Sequence, residues 1–400
     1  MAFRFDIQES FLKAIPRIAR ERIGSVIESL GEKPQPGAEA IHDARKNLKS
    51  LRALLRLTRG AIQESTRLNE NARFRDAGRA LSAVRDPQAL LEALGNLRKR
   101  LHAESRSSKA KQPSVDAFVG KIEKEIESTL VAGLPRGLVR KIVRELREAK
   151  RRTAHLFEGV VLRPGNEWES YIAFGLKRTY RKGKNLVWRF DLMGHDKAED
   201  PDWHELRKCA KALGYQLRLL KPIWPSMVDA SVEEIDQLTD RLGDANDLAI
   251  LGKKILDQPY DPSETKDSGE SRRIFLQLLN QRKQKLHTEA FEIAQLIYAE
   301  KAGQFEQRLS RYWQIWRSRV TPTRSKHFGR VNGLEKLQEK SDRKSKEVIS
   351  SPADALSATS EQAAAPLVPF PPSTLGFTSA VAPSSPQKSP ESRSDELIAG

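Results

Sequence analysis

The chain has little of what many functional classes require. Among its 400 residues there is one cysteine, Cys209. A disulfide framework and a thiolate metal cluster are therefore excluded, and a reducing compartment is implied. Cys209 itself reads as a small packing residue. Aromatic residues make up only 6% of the sequence, and their apolar neighbourhoods place them in a core, which removes the stacking surface that single-strand binders use. No run of about 18 apolar residues occurs. The opening stretch MAFRFDIQESFLKAIPRIAR interleaves charges and lacks the apolar segment of a secretory signal. These absences predict a cytoplasmic protein without a membrane span.

What is present in excess is positive charge. The chain carries 70 Lys and Arg against 53 Asp and Glu, a formal net charge of +17. From Thr321 to Gly400, 10 cationic residues stand against 9 acidic ones, a net of +1, so the first 320 residues hold 17 − 1 = +16. Such a field speeds encounter with anionic partners. Residues 41–60, IHDARKNLKSLRALLRLTRG, show how it is arranged. With His42 as zero and about 100° per residue, Arg45, Lys46, Lys49, Arg52 and Arg56 fall in an arc of roughly 120°. Ile41, Ala44, Leu48, Leu51, Leu54 and Leu55 fill the opposite arc, the apolar stripe a helix needs to dock on a core. An ordinary solvated face mixes signs, because like charges at i and i+4 cost about 0.2–0.5 kcal/mol each. Here the only nearby acid is Asp43, off the basic arc. The spacing predicts a helix kept ready for an external polyanion.

The pattern occurs twice. His42, Arg45, Lys46, Lys49 and Arg56 recur as His204, Arg207, Lys208, Lys211 and Arg218, each 204 − 42 = 162 positions later. Downstream, Leu81, Asp86 and Leu90 align with Leu242, Asp247 and Leu251 at an offset of 161, and upstream Arg17 and Arg20 align with Arg178 and Arg181 at the same offset. Three segments in one order indicate an internal duplication. Breakers separate helix-period segments at GEKPQPGAE, SRSSKAKQPS, RPGNEW, GHDKAEDPD and DQPYDPSETKDSGE, and β-branched alternation is scarce, so the fold class is all-α. The expected architecture is two pseudo-symmetric four-helix bundles, residues 5–160 and 166–320, whose basic faces line one shared groove. A Pro/Ser/Ala-rich tail over residues 330–400 is expected to be disordered. Asp86 before Pro87 reads as a helix N-cap followed by proline in the first turn. Asp247 either plays the same part or orients a basic side chain from beneath.

These residues resemble the CHAD domain family, named for a conserved histidine in an α-helical domain. The resemblance rests on His42-Asp-Ala-Arg45-Lys46 with Lys49 and Arg52, on His204-Glu-Leu-Arg207-Lys208 with Lys211 and Tyr215, and on Arg85-Asp86 and Leu242-Gly243 through Asp247. Two positions depart from the pattern: Gly214 stands where Arg52 does in the first copy, and Ser82 replaces the glycine of the second copy's Leu-Gly pair. The second ladder is thus expected to be the weaker. The resemblance implies non-enzymatic binding of inorganic polyphosphate, at polyphosphate granules, by a stand-alone member without the triphosphate-tunnel catalytic domain that often precedes such domains. The contact residues it implies are the two ladders together with Arg17, Arg20, Arg178, Arg181 and Lys182. No cofactor, metal or membrane is expected, a protein partner is expected for the tail, and nucleic acid only as a weak non-specific polyanion. The alternatives are phosphoryl transfer through the histidines and a basic nucleic-acid binder.

Overall fold

In the computed structural model of the chain, the described residues are 3–31, 36–104, 112–128, 134–157, 167–257 and 266–319. Apolar positions spaced three and four apart wind them into helices, with no β-strand among the described residues. The first half gives α1 (Phe11–Gly31), α2 (Ala38–Leu57), α3 (Glu64–Ala80), α4 (Ser82–Glu104), α5 (Gln112–Ser128) and α6 (Arg136–Arg152). The second gives α7 (Phe174–Met193), α8 (Asp200–Leu220), α9 (Pro225–Leu256), α10 (Lys266–Ile297) and α11 (Ala302–Ser318). Among the described residues, GEKPQPGAE joins α1 to α2 and GHDKAEDPD joins α7 to α8, whereas residues 112–114 and 266–270 of two other breaker stretches are already inside α5 and α10. The helix order also repeats, the continuous α9 standing where the first half has α3 and α4, broken only at Leu81. That near-continuity corrects the reading of Asp86, since α4 begins at Ser82 and Pro87 lies inside the helix. The Asp86 backbone is helical, so it does not stand at the N-cap position, and the side chains of Arg85 and Asp86 lie outside the described residues.

The expected division into bundles of residues 5–160 and 166–320 follows the order of the helices but not their packing. A second core is built from both halves: Leu94 and Leu97 of α4 and Phe118, Val119 and Ile122 of α5 meet Leu248, Leu251 and Ile255 of α9 and Phe275 and Leu279 of α10. The main core likewise joins α1, α2, α3 and α6 to α7, α8 and α11. Phe11 of α1 stacks on Trp313 of α11 with ring centroids 4.5 Å apart. Arg317 of α11 donates to the carbonyls of Ile7 and, at 3.1 Å, Glu9. The repeats are units of sequence whose helices share two common cores. No helix among the described residues is long and apolar enough to cross a membrane. The tail expected over residues 330–400 lies outside the described residues.

Two close approaches hold α2, α7 and α8 together. At Gly175, in the first turn of α7, a Cβ would stand 1.9 Å from the Leu57 carbonyl oxygen at the end of α2, so only glycine admits this contact. Gln216 of α8, fully buried, donates through Nε2 to the Ala53 carbonyl of α2 at 3.3 Å and to Thr179 Oγ1 of α7 at 3.1 Å. These contacts set the distance between the helices that carry the two basic ladders.

Candidate functional site

Helix α2 buries Ile41, Ala44, Leu48, Leu51 and Leu54, and α8 buries Leu206, Ala210, Leu213 and Leu217. Each helix therefore turns its basic arc away from the core. Because the two helices pack side by side, the arcs meet across a groove of about 550 Å³. From α2 come Arg45, Lys49, Arg52 and Arg56, and from α8 come His204, Arg207, Lys208 and Lys211. Helix α3 adds Arg75 and Arg79 on a third side. Nine Arg and Lys side chains thus line the groove against a single carboxylate, Glu205.

Not all of the expected set converges. On the helical wheel the groove-lining cations of α2 fall at about −80° to −20° from His42, whereas Lys46 lies near +40°. His42 and Lys46 are exposed outside the groove lining. In α8 the histidine position itself enters the lining, so the two copies are turned differently towards the shared space. Arg17 lies apart, paired with Glu9 at 2.8 Å and Glu21 at 3.2 Å. Arg20 donates to Thr153 Oγ1 at 3.0 Å. Arg178 and Arg181 are exposed on α7 outside the lining, and Arg218 pairs with Asp236 of α9. Lys182 reaches the rim indirectly, through an ion pair with Glu205.

The two walls differ in how their charge is held. Helix α9 runs a row of acids beneath the α8 wall: Lys211 faces Asp240 at 3.8 Å, and Arg207, which donates to the Thr239 carbonyl at 3.1 Å, lies within the field of Asp247, Asp240 and Asp244. Burial draws the Arg207 guanidinium below its ordinary pKa, and that acidic row opposes the shift. Of the two roles expected for Asp247, a helix cap is ruled out by its place in the middle of α9, and its charge acts on Arg207. Room for Arg207 comes from Gly243, where a Cβ would stand 2.7 Å from its Nη2. Gly214, the position without a cation, is buried against Ile235, whose Cγ2 would lie 3.0 Å from an added Cβ, so a side chain there meets a tight contact.

On the α2 wall the named supports are neutral. Arg52 donates to Asn71 Oδ1 at 3.2 Å, and Arg56 to the Lys208 carbonyl at 3.4 Å. Burial lowers the pKa of Arg52 first, and repulsion from Arg56, Arg75 and Arg79 lowers it further. Crowding of like charge at a partly desolvated site is what an anion relieves on binding. Across the groove, burial would raise the Glu205 carboxyl, yet Lys182 and Lys208 hold it down at about 2. His204 is depressed by burial and by Lys208 and Arg207, so it is neutral near pH 7 and gains a proton more readily once an anion cancels those cations.

Sequence reasoning missed Arg75 and Arg79 because the matching positions of the second copy, at the offset of 161, are the acids Asp236 and Asp240 of α9, so the repeat shows no basic ladder there; their i and i+4 spacing was the one signal. Aromatic rings at the groove are confined to the buried Phe74 and the half-buried Tyr215, the latter beneath Arg218 at 5.6 Å. The lining can bind extended anions through many short charged contacts and offers little to stack a base upon.

Comparison with known proteins places this geometry in a family. The family model for the CHAD domain matches residues 30–255. By structure the chain is similar to the CHAD domain from the plant Ricinus communis, with 16% identity and a TM-score of 0.46 over 73% of this chain and 93% of that one. It is also similar to PptA from Streptomyces chartreusis, with 12% identity and a TM-score of 0.40 over 74% and 98% of the two chains. No curated protein matches the sequence.

Proposed function

The chain belongs to the CHAD domain family, and from that premise we propose that it is a non-enzymatic receptor for inorganic polyphosphate, working in the cytoplasm and at polyphosphate granules. The observation that carries this reading is the groove in which nine cations from α2, α3 and α8 face one carboxylate. Polyphosphate is a flexible chain with about one charge per phosphate and no bases. Cations three and four apart on a helix stand about 5–6 Å from one another and can track such a chain. Arg engages oxygens in pairs while Lys acts as a point charge. The α2 wall, where Arg52 is crowded by Arg56, Arg75 and Arg79, takes the larger share.

A salt and pH titration with long-chain polyphosphate tests this. Affinity is expected to fall by more than tenfold between about 50 and 200 mM salt, because each neutralised phosphate releases condensed counterions. It is also expected to rise as pH falls from 8 towards 6: His204 is depressed in the free protein, binding raises its pKa, and the complex therefore takes up protons. Affinity flat in salt would sink the electrostatic reading. After incubation the polyphosphate is expected to keep its length and the protein to carry no acid-labile phosphate; shortened chains or phosphohistidine would instead favour phosphoryl transfer. Duplex or single-stranded nucleic acid at matched charge is expected to compete poorly.

A further inference from the structure

The groove does not use the most regular row of positive charge on the surface. Arg140, Arg144, Arg147 and Arg151 of α6 are spaced i, i+4, i+7 and i+11, which puts them within about 60° of one another along roughly 16 Å of helix. All four are exposed, and no hydrogen bond or ion pair holds any of them among the described residues. The row repels itself at each i, i+4 step. The opposite side of α6 is spent on the core, where Val139, Ile142, Leu146 and Ala149 are buried.

Helix α6 and the groove lie on opposite flanks of α3. Arg75 and Arg79 of α3 face the groove. Arg73, Ala77 and Ala80 face α6 across a separate cleft, and the buried Glu70 receives Arg152 of α6 at 2.7 Å. The row belongs to neither lining, and both helices belong to one compact unit.

Resting on the reading of the groove as a polyphosphate site, we infer that the α6 arginine row is a second polyphosphate-binding surface, so that one molecule bridges two segments of polyphosphate and condenses long chains. Charge complementarity selects a polyanion. Lacking apolar residues on its outer face, α6 has nothing to insert into a bilayer. The exposed aromatic residues Phe174, Trp188 and Trp224 lie elsewhere, so α6 offers no base-stacking surface either. A bivalent protein and a multivalent polymer form a network once both sites are engaged, because the second contact forms at the high effective concentration set by the first.

The full chain carrying R140Q, R144Q, R147Q and R151Q tests this beside a variant with Lys at the same four positions. Two readouts are needed: affinity for a short oligophosphate that fills the groove, and the protein concentration at which long-chain polyphosphate turns turbid. The Gln variant is expected to keep its oligophosphate affinity within about twofold, as distant independent sites do, while the turbidity threshold rises more than about tenfold. The Lys variant is expected to behave like the wild type, which separates charge from helix damage. Unchanged turbidity in the Gln variant overturns the inference alone. So does a turbidity defect in the Lys variant equal to that of the Gln variant, or preferential binding of the row to duplex DNA or anionic vesicles. Absence of any polyphosphate binding by the wild type overturns the groove reading and this inference together.

Discussion

Replacing Arg45, Lys49 and Arg52 together by Glu is expected to lower the affinity for long-chain polyphosphate by at least about 100-fold while leaving the helix content unchanged. All three line the groove from α2, and none belongs to either apolar core. Losing about 1 kcal/mol at each contact gives about 3 kcal/mol, or two decades of affinity. The salt slope should also flatten by about two, since three fewer phosphates are neutralised. Stability discriminates a binding role from a structural one. Arg52 is crowded by Arg56, Arg75 and Arg79, so reversing its sign relieves repulsion in the free protein. The melting temperature is therefore expected to hold or rise. A variant that melts earlier and binds normally would show the ladder to be structural.

Gly175→Ala is expected to destabilise the fold by about 3 kcal/mol, at the upper end of what overpacking costs. The added Cβ would lie 1.9 Å from the Leu57 carbonyl oxygen and 2.4 Å from that of Arg56. Both are main-chain atoms at the end of α2, so no side chain can swing aside, and α7 must separate from α2. Since Gln216 ties α8 to the same pair of helices, the groove walls should move as well. Chemical denaturation reads the effect as a lower midpoint at an unchanged slope. A midpoint equal to the wild type would mean that this contact does not set the frame.

Much of this arrangement is legible in the sequence because helical period is a strong local signal. The apolar stripe of Ile41, Leu48 and Leu51 fixes which side of α2 is buried, and that alone turns Arg45, Lys49 and Arg52 outward. The duplication then places a second basic helix. What the repeat does not carry is the rotation of each copy: His204 enters the groove lining while His42 does not, since that depends on how α8 packs on α9. Nor does it say which helices share a core. Phe118 of α5 meets Phe275 of α10 at 5.8 Å between ring centroids, a pairing across the two halves that no periodicity announces. Arg17 shows a different limit: its place in the repeat marks it as a ladder residue, yet Glu9 and Glu21, nearby in sequence, occupy its guanidinium.

The central claim is that polyphosphate lies between α2 and α8, and arginine footprinting locates it most directly. The protein is treated with phenylglyoxal, with and without one equivalent of a short oligophosphate, and the modified positions are read by mass spectrometry. Arg52, Arg56 and Arg79, which line the groove, are expected to be protected, while Arg17 and Arg178, which lie outside it, react at unchanged rates. Protection at Arg17 and Arg178 with the groove arginines still reactive would contradict the claim.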